Sequence, residues 1–158
     1  MAQPAAAPPA TADHLKPLAF LADACWEGPL PDGTVDVHCY RWFMRGAYLR
    51  ERHEVRGTQP PHGGECTFYW DHDAKAIRYV YWTNTGGMAT GTMVPDGDGL
   101  RFSDERYVDA NGEQRFRGTY TRVDADRYRM RTEVQDTSGA WIPMFDVTYL
   151  RKPINWGP

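Results

Sequence analysis

A chain of 158 residues provides one domain with a single hydrophobic core and is too short for two. The aromatic content of 13%, together with 15 glycines and 12 prolines, favours many short strands over long helices, so we expect an all-β protein. The formal charge of −3 offers no basic surplus for phosphate groups, so we expect no nucleic-acid partner, and no stretch reaches the roughly 20 apolar residues that cross a bilayer.

The first segment, residues 1–12, is rich in alanine and proline and is predicted to be disordered. It looks like the start of an exported bacterial protein from which a signal peptide has been removed. We therefore expect a periplasmic or secreted location, with a cytoplasmic location as the alternative.

One short helix and a series of strands are predicted next. From Asp13 to Ala24, apolar residues recur at roughly helical spacing behind an aspartate that can cap the first turn. After Trp26 the pattern changes to alternation, and nine turns separate about ten strands. Ten consecutive strands with short connections form a meander, which avoids exposed edges most simply by closing on itself. We predict a closed antiparallel up-and-down β-barrel over residues 13–152 and a tail at 153–158, with a two-sheet sandwich as the second choice.

Turn lengths predict which side chains of neighbouring strands share a face. A two-residue turn at Arg45-Gly46 aligns three pairs on the inner face: His38 with His53, Tyr40 with Glu51, and Trp42 with Leu49. A three-residue turn would instead bring the opposite face inward, with Val35, Val37, Cys39 and Phe43.

The same procedure predicts the other hairpins. A loop at residues 72–75 pairs Trp70 with Ile77, Phe68 with Tyr79, and Cys66 with Tyr81. A three-residue loop at residues 124–126 places Phe116, Gly118 and Tyr120 opposite Val134, Thr132 and Met130. A four-residue loop at residues 136–139 pairs Val134 with Trp141, Met130 with Phe145, and Tyr128 with Val147. The predicted interior is therefore strongly aromatic.

Three cysteines, Cys25, Cys39 and Cys66, show no CxxC spacing and specify no zinc site. At most one disulfide could form. We expect three small buried hydrophobic residues instead.

The polar residues of the predicted interior suggest acid–base chemistry. The candidate catalytic residues are His53 as base, Glu51 as its orienting partner, and His38 or Tyr40 as proton donor. Two histidines and a glutamate could also hold a divalent metal, but the helical HExxH spacing is missing, so we predict no metal and no cofactor. A hydrogen-bonded polar network without catalysis is the plainer interpretation.

The aromatic residues of the predicted interior suggest a ligand cavity, and core packing is the alternative. The candidate ligand-binding residues are Trp42, Phe68, Trp70, Tyr79, Tyr81, Tyr120, Tyr128, Met130 and Phe145.

Two segments carry a family resemblance. The LADACWEG of residues 21–28 resembles the helix-then-GxW opening of calycins, although the motif's glycine is replaced, and the YVYWTNTGG of residues 79–87 resembles bacterial lipocalin-like and fatty-acid-binding-protein-like barrels. The resemblance implies a ligand cup without a known reaction. Fatty-acid-binding proteins clamp a carboxylate with Arg-x-Tyr on the last strand; here Tyr149 matches the tyrosine, but Val147 replaces the arginine. Nitrobindin-type barrels bind haem through a histidine near the C-terminus, whereas the last histidine here is His72.

We therefore predict a carrier or sensor that binds a small, largely apolar or aromatic molecule in the barrel. A small barrel enzyme, such as an isomerase, cyclase or hydrolase, is the alternative. A structural barrel with a filled core is a weaker one. The sequence does not indicate which oligomeric state the protein adopts.

Overall fold

The computed structural model describes residues 13–156 and contains a closed barrel of ten antiparallel strands. Each strand pairs with its neighbours in sequence, and β1 closes the barrel against β10. The strands are β1 (Ala24–Pro29), β2 (Val35–Phe43), β3 (Tyr48–Arg56), β4 (His62–Asp71), β5 (Ala76–Thr83), β6 (Met88–Asp96), β7 (Gly99–Asp109), β8 (Gly112–Asp124), β9 (Arg127–Gln135) and β10 (Trp141–Lys152). The predicted fold class is confirmed, and the expected disorder of residues 1–12 lies outside the described residues.

The predicted helix is a 3₁₀ helix of six residues, Asp13–Leu18, and is shorter than expected. Pro17 lies inside it, and the residues that follow form turns up to Asp23, where φ is positive at 56°. Leu15 and Leu18 are completely buried, and the Trp26 indole N–H donates to the Leu21 carbonyl at 3.0 Å. This segment therefore closes one end of the barrel. None of the helices in the described part of the chain is long and apolar enough to cross a membrane.

Three of the predicted hairpin registers are confirmed. The turn between β2 and β3 spans four residues rather than two, but it keeps the predicted pairing of His38 with His53 and of Tyr40 with Glu51. The predicted pairs of β4 with β5 and of β8 with β9 are also present. The alternative face of β2, with Val37 and Cys39, lies outside the barrel.

The predicted register of β9 and β10 is wrong. The connection has five residues, 136–140, and a bulge between Pro143 and Phe145 adds a further shift. Met130 therefore pairs with Val147 and Tyr128 with Tyr149. The bulge brings Val147 and Tyr149 into the core, where they are 3% and 0% exposed.

A second bulge in β7 changes which residues of that strand point inward. Phe102 pairs with Gly118, but Glu105 pairs with Phe116, so one extra residue is accommodated between them. Asp104 faces outward, where its carboxylate accepts hydrogen bonds from the backbone N–H and the hydroxyl of Thr92 at 2.7 and 2.8 Å. After this bulge Glu105 and Tyr107 face the interior.

The expectation of three unpaired cysteines is wrong, because a disulfide joins Cys25 of β1 to Cys39 of β2. The two cysteines are direct cross-strand partners on the outer face of the barrel. The tail passes over them: the Asn155 backbone N–H lies 3.2 Å from Cys25 Sγ, and Arg52 donates to the carbonyl of Trp156. Cys66 is free and buried inside the barrel.

Candidate functional site

The barrel encloses a cavity of about 360 Å³. It lies on the side away from the 3₁₀ helix, since the residues around it include Leu30, His62, Thr83 and Gln114, which stand beside the connections of that end. Most of its wall is apolar or aromatic: Val55, Phe68, Tyr79, Tyr81, Met93, Phe102, Tyr107, Phe116, Tyr120, Met130, Met144 and Phe145.

Six of the nine predicted ligand-binding residues line this cavity: Phe68, Tyr79, Tyr81, Tyr120, Met130 and Phe145. Trp42, Trp70 and Tyr128 do not, because they belong to the closed end. The His14 ring stacks on Trp70 with centroids 4.1 Å apart, and Tyr128 packs between Trp26 and Tyr149. The role of the six lining residues in binding stays a prediction.

Polar residues of β2 and β3 form one side of the cavity. We define the polar wall as Asp36, His38, Glu51 and His53, which all line the cavity and are joined by hydrogen bonds. Asp36 Oδ2 lies 3.0 Å from His38 Nε2, and Asp36 Oδ1 lies 2.6 Å from His53 Nε2. Tyr40, a candidate proton donor, is completely buried but does not line the cavity.

The structure changes the pairing that we expected within the polar wall. Glu51 contacts His38 Nδ1 and not His53, whose carboxylate partner is Asp36. The remaining nitrogen of His53, Nδ1, lies 2.7 Å from the Tyr81 hydroxyl. In a neutral His53 ring, Nε2–H donates to Asp36 and Nδ1 accepts from Tyr81. Asp36 therefore orients His53, and Glu51 orients His38.

Asp36 was missed by the sequence reasoning, although a signal was present. It stands two residues before His38 on the same strand, so the alternation that turned His38 and Tyr40 inward also turned Asp36 inward. Burial opposes its ionisation, but the charges of His38 and His53 and their hydrogen bonds outweigh burial and hold the pKa of Asp36 well below its usual range. Tyr149 donates a further hydrogen bond to Asp36 Oδ2.

His38 is held between two carboxylates. Burial alone would lower the pKa of this imidazole, but the negative charges of Asp36 and Glu51 outweigh burial and raise the pKa to about 10. His38 is therefore a cation at neutral pH. Its charge compensates the carboxylates of the polar wall and is not free to serve an anionic ligand.

A third carboxylate, Glu105, faces the cavity from β7. Its Oε2 accepts a hydrogen bond from the Tyr79 hydroxyl at 2.7 Å. Tyr79 reaches it by passing over Gly91 of the intervening strand, where an added Cβ would lie 2.3 Å from the Tyr79 oxygen. Burial raises the pKa of Glu105 to about 6, and the charges of Glu51 and Asp104 act in the same direction. The sequence reasoning missed Glu105 because the β7 bulge was not predicted.

The geometry of the polar wall gives limited support for a metal ion. One ligand atom each from Asp36, His38 and His53 lies within 4.8 Å of the others, and these donor types suit divalent transition metals. However, the two imidazole rings stack 9° from parallel with centroids 4.5 Å apart, so their lone pairs run side by side instead of meeting at one point. Both Nε2 atoms also contact Asp36. The arrangement fits a hydrogen-bonded chain better than a metal centre.

Comparison of the sequence with protein-family models and with curated proteins gives no match in either case. The closed ten-strand antiparallel barrel is compatible with a calycin-like fold. The chemistry of the site therefore has to be inferred from its own residues.

Proposed function

We propose that this protein is a carrier or sensor that binds a small, largely apolar or aromatic molecule inside its barrel. The observation that supports this most directly is the cavity of about 360 Å³, which lies within the size range of small-molecule sites. Burial of ligand surface against rings such as Phe68, Phe102 and Tyr120 provides about 25 cal/mol per Å² before the costs of association. The polar wall then orients the ligand by hydrogen bonds.

The cavity also favours this function over a structural barrel with a filled core, since side chains leave part of the interior open. We extend the proposal to kinship with the calycins, supported by the barrel topology and the opening motif of residues 21–28. A periplasmic or secreted location belongs to the same proposal. The disulfide between Cys25 and Cys39 supports it, because such bonds persist in oxidising compartments.

A fluorescence titration with N-phenyl-1-naphthylamine tests the proposed function. This neutral probe is apolar and aromatic, and its emission rises and shifts to the blue in an apolar site. We expect saturable binding with one probe per chain. The variant Thr132→Trp fills the cavity from β9 and should weaken binding at least tenfold. The matched control Thr121→Trp places the same side chain on the exposed outer face of β8 and should bind like wild type.

Two results would argue against the proposal. One is an absence of saturable binding to the folded wild-type protein. The other is equal affinity in the Thr132→Trp variant and the Thr121→Trp control, since the probe would then bind outside the cavity.

An acid–base enzyme is the second candidate, and the pairing of His53 with Asp36 at the cavity surface favours it. An imidazole oriented by a carboxylate can act as a general base, and the Tyr81 hydroxyl at 2.7 Å could pass a proton. Hydrolysis of p-nitrophenyl acetate provides a generic test. His53→Ala should abolish the turnover of the wild type, and the control His72→Ala, which changes a histidine of an exposed loop, should keep it. Equal rates in the two variants would eliminate this candidate.

A further inference from the structure

The charged groups around the cavity are unevenly distributed. Three carboxylates line it, those of Asp36, Glu51 and Glu105, and no lysine or arginine of the described chain does. The positive charge of His38 already lies between Asp36 and Glu51. His53 is likewise paired with Asp36, and burial lowers the pKa of His62, the remaining imidazole of the lining. The described lining therefore offers an acidic ligand no cation without a carboxylate partner, and its carboxylates favour positive charge.

Glu105 differs from the other two carboxylates in lacking a basic partner. In the described part of the chain, its one hydrogen-bond donor is the neutral hydroxyl of Tyr79. Asp36, by contrast, accepts hydrogen bonds from two imidazoles and from Tyr149. Glu105 is partly buried, and a carboxylate removed from water is costly without a counter-charge, which a cationic ligand would supply.

The residues around Glu105 also suit a cation. Phe116 is its direct cross-strand partner, and Tyr107 follows it on the same face of β7. The Phe116 and Tyr107 rings meet edge to face with centroids 6.5 Å apart, and both line the cavity. Aromatic faces attract ammonium groups, and such attraction strengthens when the cation is removed from water.

We propose that the cavity selects amines: molecules with an aromatic or other apolar body and a primary or secondary ammonium group that binds the Glu105 carboxylate. The apolar body lies against Phe68, Phe102 and Met130, and the ammonium group donates to Glu105 beside the Tyr79 hydroxyl. This inference rests on the proposed function, because it names the ligand class of the same cavity.

Three probes with the same ring system test the inference. 1-Naphthylmethylamine is a cation at neutral pH, 1-naphthylmethanol is neutral, and 1-naphthylacetate is an anion. Their affinities are measured by displacement of N-phenyl-1-naphthylamine. For the wild-type protein we expect the amine to bind at least tenfold more tightly than the alcohol, and the acetate to bind more weakly than both.

The variant Glu105→Gln keeps the shape of the side chain and removes its charge. We expect the affinity for the amine to fall to that for the alcohol, while the affinity for the alcohol changes less than threefold. The matched control Glu54→Gln removes a carboxylate from the exposed outer face of β3 and should leave all three affinities unchanged. The wild-type comparison of amine with alcohol does not depend on the folding of any variant.

Each contrary outcome has one meaning. Equal binding of amine and alcohol by the wild type overturns the amine inference and leaves the proposed function standing. A preference for the amine that persists in Glu105→Gln also overturns it, because the ammonium group would then bind elsewhere, for example at the polar wall. Failure of every probe to bind contradicts the proposed function itself.

Discussion

The Tyr149 hydroxyl donates a hydrogen bond to the Asp36 carboxylate, and it crosses a whole strand to do so. Tyr149 lies on β10 and Asp36 on β2, with Gly28 of β1 between them; an added Cβ on that glycine would approach the Tyr149 ring to 3.0 Å. Tyr79 crosses β6 in the same way to reach Glu105. These tyrosines fix two of the cavity's carboxylates because glycines leave room beneath their rings.

The hydrogen bond from Tyr149 should contribute measurably to stability. Tyr149→Phe removes one donor from a buried carboxylate, and hydrogen bonds to charged groups contribute about 1.5–3 kcal/mol. We expect the free energy of unfolding, measured in urea, to fall by about that amount. The control is Tyr128→Phe at a position that is also completely buried, where the hydroxyl makes no hydrogen bond of ordinary geometry within the described residues. Equal losses in both variants would mean that the bond to Asp36 contributes nothing specific.

A side chain at Gly91 should destabilise the protein while Tyr79 is present. An alanine Cβ would lie 2.3 Å from the Tyr79 oxygen and 2.5 Å from its Cζ, so the ring must move away from Glu105. We expect Gly91→Ala to destabilise the fold by about 1–3 kcal/mol, the usual cost of overpacking. In a Tyr79→Ala background the same change should cost much less, because the clash is absent. Additive losses in this double-mutant cycle would contradict the predicted contact.

The raised pKa of Glu105 predicts that this residue stabilises the fold more at low pH than at high pH. Its pKa is raised from 4.5 to about 6 in the folded state, so the native protein binds this proton more tightly than the unfolded chain does. The contribution of Glu105 to the free energy of unfolding is therefore greatest below about pH 4.5 and is lost as the pH rises to about 6. The total loss is about 2 kcal/mol.

The neutral variant Glu105→Gln should lack this component. The difference in unfolding free energy between the wild type and the variant should vary with pH between about 4.5 and 6 and be constant above it. The ionisable groups that interact electrostatically with Glu105 are Tyr79, Glu51, Cys66 and Tyr120 of the interior and Asp104 of the outer face. A pH-independent difference would show that Glu105 titrates at an ordinary value.

The disulfide should stabilise the first hairpin of the barrel. It joins residues 14 positions apart, and closing a loop of this size contributes about 3 kcal/mol in the chain-entropy description. Dithiothreitol should lower the melting temperature of the wild type and leave that of a Cys25→Ala/Cys39→Ala double variant unchanged. If dithiothreitol lowers the melting temperature of both proteins equally, the loss of stability does not come from this disulfide.

The sequence predicted the barrel well where turns were regular. Alternation and turn length placed Phe68 opposite Tyr79 and His38 opposite His53, because hairpin register follows directly from these two features. The bulges in β7 and β10 have no comparable signal, and each reverses the inward face of its strand. Glu105 and the pairing of Tyr128 with Tyr149 were missed for that reason.

Other parts of the site depended on contacts between distant segments. Three of the four residues of the polar wall, His38, Glu51 and His53, were predicted from β2 and β3, but Asp36 was not. The internal pairing was missed because Asp36 competes with Glu51 for the two imidazoles. The disulfide required the register of β1 against β2, and the short β1 strand carried too little alternation to fix that register. The closure of one end of the barrel was not predicted, because the 3₁₀ helix and His14, which cover Trp70, belong to no hairpin whose register the turn lengths could give.

The central claim is that ligands enter the barrel, and methyl NMR of the methionines measures this directly. Of the six methionines, Met93, Met130 and Met144 line the cavity, whereas Met44 and Met88 are exposed on the outside. Met144 is itself 48% exposed, so Met93 and Met130 are the probes of the interior. With ¹³C-methyl-labelled methionine and added N-phenyl-1-naphthylamine, we predict shifts and intermolecular contacts at Met93 and Met130 and none at Met44 or Met88. Saturable binding that perturbs Met44 or Met88 and leaves Met93 and Met130 unchanged would contradict the account.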